Sequence, residues 1–142
     1  ALAADGRTHR LGVVVQPPRS RYGALFDELR RSGFAEGDNL VVDPQGFGTP
    51  TERLDAIAVE VVRSMPDVIF CAGDAACLAV QRTRTPLPIV VLTDDIIRTR
   101  LAASLARPGG NITGVTIFAP ELDRKRFEIL LEMIPGLRRV AN

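Results

Sequence analysis

Apolar residues fall along this chain in short continuous runs separated by amphipathic stretches. Leu11–Val15, a run of Leu, Gly and three Val, is the pattern of a strand buried on both faces. Gln16-Pro17-Pro18 stops it, because proline cannot donate to a ladder. Ser20 is placed to cap a helix over 21–31, whose Tyr22, Leu25, Phe26 and Leu29 share one face. Gly33 is placed to close that helix in the left-handed conformation. Asn39–Pro44 reads as a shorter strand near an edge. Thr49-Pro50-Thr51-Glu52 combines a capping Thr, a Pro at the first helical position and a Glu three after the cap. It predicts a helix to about Met65 that buries Leu54, Ile57, Ala58, Val61 and Val62. Pro66-Asp67 breaks it.

The third strand, Val68–Cys71, ends at Ala72-Gly73-Asp74, with Asp74 placed to cap a helix over 75–83. Thr85-Pro86-Leu87-Pro88 leads into a fourth strand, Ile89–Leu92. A polar turn (Thr93-Asp94-Asp95), a short helix and an Arg107-Pro-Gly-Gly-Asn111 break follow, then a fifth strand, Ile112–Phe118. The last segment, Pro120 to Arg139, is the longest helix. Glu121 lies four residues before Lys125, and Leu122, Phe127, Leu130, Leu131 and Ile134 form its apolar face. Alternating strands and helices define an α/β fold: a doubly wound, five-stranded parallel sheet, flavodoxin-like, of order 2-1-3-4-5. Its ligand site belongs at the carboxyl edge of the strands.

Composition narrows the partners. A chain of 142 residues, 46% hydrophobic and 25% charged, suits one globular domain with a core. The formal charge is +1 and basic residues stand singly or in pairs, so no nucleic-acid partner is expected; one Tyr and no Trp leave little to stack bases on. No apolar run approaches the roughly 20 residues of a membrane span. The N-terminus lacks the charged and apolar regions of a signal peptide, and Ala1-Leu2-Ala3-Ala4 reads as the tail around a cleavage site or a cloning remnant. Cys71 and Cys77 fit no zinc spacing and read as two small buried thiols, with a strained local disulfide as the alternative.

Reactive chemistry is sparse. No G-x-G-x-x-G, G-x-x-x-x-G-K-[ST] or G-x-S-x-G occurs, and the only histidine, His9, precedes the first strand. No metal site, cofactor or catalytic residue is therefore assigned. Asn111-Ile112-Thr113 is a chance match to a glycosylation sequon. Asp74, Asp94 and Asp95 gather at the carboxyl edge. They can bind an amine or cation, serve as acid and base, or cap helices; of the adjacent pair only one can cap, leaving the other to meet a ligand. The rim comprises Gln16–Tyr22, Gly46–Gly48, Ala72–Ala75, Thr93–Asp95 and Phe118–Glu121. Several helix N-termini point into it, which suits a small anion. It reads as a binding surface without a reactive group.

Several phrases carry a family likeness over residue 10 to the end: Phe34-Ala-Glu-Gly-Asp-Asn-Leu40, Pro66-Asp-Val-Ile69, Leu105-Ala-Arg-Pro-Gly-Gly-Asn-Ile-Thr-Gly-Val115 and Ala119-Pro-Glu-Leu122 with Lys125-Arg126. The chain resembles the substrate-binding proteins of ABC transporters, with the two-lobed type I periplasmic "Venus flytrap" fold. The resemblance implies an exported, non-enzymatic protein, periplasmic or otherwise extracytoplasmic, that closes on a small solute and delivers it to a membrane permease. Carried over by position, the solute-facing residues are Pro17, Pro18, Ser20 and Tyr22, then Gly73, Asp74 and Ala75, then Thr93, Asp94 and Asp95. Many members have Gly-Thr-Pro or Gly-Ser-Pro where this chain has Gly73-Asp74-Ala75. A carboxylate there repels a solute carboxylate and tilts the solute towards a positive or hydroxyl-rich end. The expected solute is small, polar and organic, such as an amino acid or an amine.

The resemblance also implies two parts. Residues 10–118 are the N-terminal lobe. Residues 119–142 are the hinge (Phe118, Ala119, Pro120, Glu121) and the first helix of a second, missing lobe. Helix 121–137 would then show an apolar face, expected to dock on another copy as a homodimer or to fold back on its own sheet. The alternative role is the ligand-sensing lobe of a transcriptional regulator or receptor, which the same fold serves.

Overall fold

The computed structural model describes residues 6–96, 99, 101, 110–117 and 119–134. Its strands are β1 (His9–Val15), β2 (Leu40–Val42), β3 (Val68–Ala72), β4 (Ile89–Thr93) and β5 (Ile112–Thr116). The helices are α1 (Gly23–Arg31), α2 (Leu54–Arg63), α3 (Asp74–Arg82) and α4 (Ala119–Met133). All ladders are parallel, in the order β2-β1-β3-β4-β5, as the alternation requires. The short helix expected after Asp95, the Arg107–Gly109 part of the break and hinge residue Phe118 lie outside the described residues.

Each face of the sheet has its own core. On one, α2 and α3 bring Leu54, Ile57, Val61, Ala76 and Val80 onto Val14, Ile69, Cys71, Ile89 and Val91. On the other, α1 and the turn before it lay Tyr22, Phe26 and Leu29 on Leu11, Val13, Val15 and Phe70. Because β1 lies between both layers, Leu11 to Val15 are all buried, which explains their unbroken apolar run. The α1 layer does not reach the far edge: Val90, Val115 and Ile117 are exposed.

The capping expectations need correction. Ser20 caps nothing; it sits in a 3-10 turn, Arg19–Tyr22, that leads into α1 with no side-chain cap. The capping box at Thr49 does not form either. Thr49 is buried and its hydroxyl donates to the Gly46 carbonyl at 3.1 Å, while a 3-10 turn, Thr51–Arg53, opens α2. In both places a proline stands just before the tight turn, and its carbonyl accepts from the turn, Pro18 from Arg21 N–H and Pro50 from Arg53 N–H, both at 3.0 Å. Gly33 closes α1 as expected, at φ +94°, with Phe34 N–H bonded back to the Leu29 carbonyl.

Two asparagines fasten strand entrances. The Asn39 side chain accepts from Ala35 N–H and donates to the Gly33 carbonyl, both at 2.8 Å, setting the approach to β2. The Asn111 amide donates to the carbonyls of Thr85 (2.8 Å) and Leu87 (2.5 Å), tying the start of β5 to the turn before β4. Its nitrogen is thus engaged inside the fold, in keeping with a chance sequon. Cys71 and Cys77 are buried free thiols, with Cys77 Sγ donating to the Cys71 carbonyl at 3.4 Å.

Helix α4 does not fold back to bury its apolar side chains. Leu122, Phe127, Ile129, Leu131, Met133 and Ile134 are all exposed, against the fold-back expectation.

Candidate functional site at the carboxyl edge

The loops leaving β1, β3 and β4 emerge on one edge, as parallel order dictates. The β1 exit is fastened to the loop after β2. Gly48 N–H donates to the Pro17 carbonyl (3.0 Å), Thr49 N–H to the Val15 carbonyl (3.1 Å) and Gln16 Nε2 to Thr51 Oγ1 (2.8 Å). The loop approaches so closely that a Cβ on Gly46 would lie 1.5 Å from the Val13 carbonyl oxygen. Only glycine fits there. Pro17 is half-buried, and Pro18 and Ser20 are exposed on the rim. Tyr22 is drawn inward: its ring meets Phe47 at 6.1 Å and Phe70 at 5.8 Å between centroids, and burial raises its phenol pKa above the ordinary value. Arg19 stacks over Phe26 at 4.5 Å and pairs with Glu36.

At the β3 exit, Gly73 takes φ +87°, a conformation that glycine adopts without a Cβ penalty, and donates its N–H to the Leu92 carbonyl at 2.8 Å. Ala75 packs into the α2–α3 core. Asp74 is the first residue of α3, yet the helix has no side-chain cap. The expected capping role is replaced by one across the sheet. One Asp74 oxygen accepts the Thr93 hydroxyl and, at 3.2 Å, the Asp94 N–H. Thr93 is only 2% exposed; its hydroxyl is spent inside the fold.

Asp94 and Asp95 follow, both half-buried. Thr116 Oγ1 donates to the Asp94 carbonyl at 2.9 Å and Ile117 N–H to the Thr93 carbonyl at 3.1 Å. Thr99 bonds the Asp95 carbonyl through both its N–H (3.1 Å) and its hydroxyl (2.8 Å). The structure thus brings Asp74, Thr93 and Asp94 into one network. Thr116 is the member that sequence reasoning missed, its only signal being a Thr at the carboxyl end of a strand. Ala119, Pro120 and Glu121 form the first turn of α4.

Among the described residues, no cluster of three His, Cys, Asp or Glu could hold a metal, and no helix is long and apolar enough to cross a membrane. A cavity of about 340 Å³ lies at the opposite, amino end of the sheet, lined by His9, Leu11, Leu29, Phe34, Leu40 and Val68 among others. Of its polar lining, Asp67 accepts the Arg10 N–H at 2.8 Å and pairs with Arg7.

A doubly wound sheet whose strand exits carry a fastened polar rim falls in the class of open α/β folds that hold ligands at the carboxyl edge. The comparison with known proteins is consistent with that class: residues 16–142 match the family model of the ABC transporter substrate binding protein, and the chain belongs to that family. A tyrosine-binding protein of Clostridioides difficile (strain R20291) is 25% identical over 114 residues, 80% of this chain and 32% of that protein. A conserved domain protein of Vibrio cholerae superposes with a TM-score of 0.81 at 25% identity, over 92% of this chain and 45% of that one. An ABC domain from Streptococcus pneumonia, solved with L-Trp, shares the fold at TM-score 0.67 and 20% identity, over 77% of this chain and 38% of that one. The chain therefore spans 32% to 45% of the length of these proteins.

Proposed function

We propose that this chain is the N-terminal, solute-binding lobe of the extracytoplasmic binding protein of an ABC importer. It is non-enzymatic and takes a small polar organic solute, an amino acid or an amine, at the carboxyl edge of its sheet. The observation that carries this is the set of strand exits at Gln16–Tyr22, Gly73–Ala75 and Thr93–Asp95, bonded to their neighbours and gathered on one edge of a chain from this family. A tyrosine-binding relative supports an amine-bearing solute. Within the rim, Pro17, Pro18, Ser20, Gly73, Asp94 and Asp95 are the proposed contacts, with Tyr22 and Ala75 as supporting wall.

Residues 10–118 are the lobe. Phe118 to Glu121 are the hinge, and α4 leads into the second lobe, which would supply the other half of the contacts. The exposed apolar side chains of α4 support this, since they fit a helix meant to be covered. A membrane permease is the downstream partner. Where no second lobe covers α4, a second copy does so, giving a homodimer.

The test is a thermal-shift and calorimetric screen of amino acids, polyamines, nucleosides and aromatic acids. A ligand at a hundred times its Kd stabilises by about 2.7 kcal/mol. The expected result is a dose-dependent rise confined to amine-bearing solutes and weakened by Asp94→Asn or Asp95→Asn. No rise with any of them would overturn the reading.

A further inference from the structure

Asp74 stands where its carboxylate would be counted as a solute contact or a helix cap, yet the hydrogen bonds give it a different task. Its Oδ1 accepts from two groups of the β4 exit, the Thr93 hydroxyl and the Asp94 N–H. Thr93 is buried and presents no hydroxyl to the crevice. A buried hydroxyl left without an acceptor is costly, so the Thr93–Asp74 bond defines both side chains. The same turn is gripped elsewhere, by Thr116 on the Asp94 carbonyl and by Thr99 on the Asp95 carbonyl. Three separate stretches of chain thus fix the Asp94–Asp95 backbone, and Asp74 is the one from α3.

We infer that Asp74 is a positioning residue: its carboxylate oxygen sets the backbone of the Asp94–Asp95 turn, and through it the stance of those two side chains at the crevice, rather than meeting the solute by its charge. The inference rests on the carboxyl edge being the solute site. Its chemistry is distinctive. These two bonds need an acceptor oxygen, which an amide also supplies, though more weakly than a carboxylate. Direct contact with the solute then falls to the Asp94–Asp95 turn.

Three variants separate the possibilities: Asp74→Asn keeps the acceptor, Asp74→Ala removes it, and Thr93→Val removes the donor while leaving Asp74 intact. Two readouts are taken on the 142-residue chain. One is the amide-proton exchange rate of Asp94 by NMR, which needs no solute. The other is chemical-shift titration with L-tyrosine, L-tryptophan and putrescine. Asp74→Ala and Thr93→Val should each speed Asp94 exchange at least tenfold, and Asp74→Asn by less than twofold. For any probe the wild type binds, affinity should fall five- to tenfold in Asp74→Ala and Thr93→Val and stay within twofold in Asp74→Asn.

An Asp94 amide unchanged in Asp74→Ala and Thr93→Val would overturn the inference. So would an affinity lost equally in Asp74→Asn and Asp74→Ala but kept in Thr93→Val, which is the signature of a charge contact. If the wild type binds none of the probes, the solute assignment is what fails, and the exchange arm still decides the role of Asp74.

Discussion

The Thr93 hydroxyl, at the end of β4, donates to the Asp74 carboxylate, at the start of α3, and so ties neighbouring strand exits together above the sheet. Thr93 is buried, and hydrogen bonds to a charged acceptor contribute about 1.5–3 kcal/mol net. Thr93→Val keeps the volume and removes the donor. It is expected to cost about 2 kcal/mol in urea denaturation, whereas Thr93→Ser should recover most of that.

A second expectation concerns Asn111, whose amide holds the carbonyls of Thr85 and Leu87. Asn111→Asp turns donors into a carboxylate facing two carbonyl oxygens and should destabilise by about 3 kcal/mol; Asn111→Ala leaves the carbonyls unpaired and should cost about 2 kcal/mol. Denaturation midpoints at neutral pH measure both. Equal stability of all three proteins would refute the bracing role.

Gly46 supplies a backbone test. A methyl there would sit on the Val13 carbonyl, so Gly46→Ala must displace the loop after β2 and should cost about 3 kcal/mol. Gly48 has φ +65° but open space around it; Gly48→Ala should cost only about 1–2 kcal/mol, the left-handed penalty. Reversal of that order would show that the approach to Val13 is not tight.

Alkaline pH probes the buried thiols. Contact with the Cys77 side chain, then burial, pushes the Cys71 pKa above its ordinary value of 9.0. A group whose folded pKa is raised lends stability that is complete below the unfolded pKa and is lost as pH rises beyond it. Stability should therefore hold to about pH 9 and then fall by up to about 1.4 kcal/mol per pH unit. Cys71→Ala should flatten that slope. A denaturation series across pH 7 to 10.5 measures it, and a wild-type slope no steeper than the variant's would count against the assignment.

The exposed side chains of α4 predict self-association. Light scattering over a concentration series should show a dimer, and Phe127→Glu with Leu131→Glu should weaken it at least tenfold, about 1.4 kcal/mol. Wild-type mass constant at the monomer value throughout would remove this interface from consideration.

Sheet order and both cores were legible because each depends on period and run length, which Leu11–Val15 and the Ile57, Ala58, Val61 spacing carry locally. The caps were not. Ser20 and Thr49 are good capping residues followed by the right spacing, but 3-10 turns that begin just after Pro18 and Pro50 open both helices, and the Thr49 hydroxyl is taken by the Gly46 carbonyl. The Asp74 cap fails for a related reason: the carboxylate accepts from Thr93, 19 residues away, and local spacing cannot report a bond made across a parallel sheet. Asn39 and Asn111 sit inside the phrases that carried the family likeness. Their structural role, bracing strand entrances, accounts physically for an Asn at each place.

The bare outer side of β4 and β5 bears on how this lobe comes apart. Strand β1 is sealed by both helical layers, while Val115 and Ile117, at the β5 edge, are exposed. Local opening is easiest where least apolar surface is shielded, so amide protection should decline from β1 through β3 and β4 to β5. The strand that loosens first is the one that leads into α4. Whatever engages α4 thereby steadies the weakest margin of the sheet, and the lobe's resistance to unfolding becomes a property it shares with its neighbour.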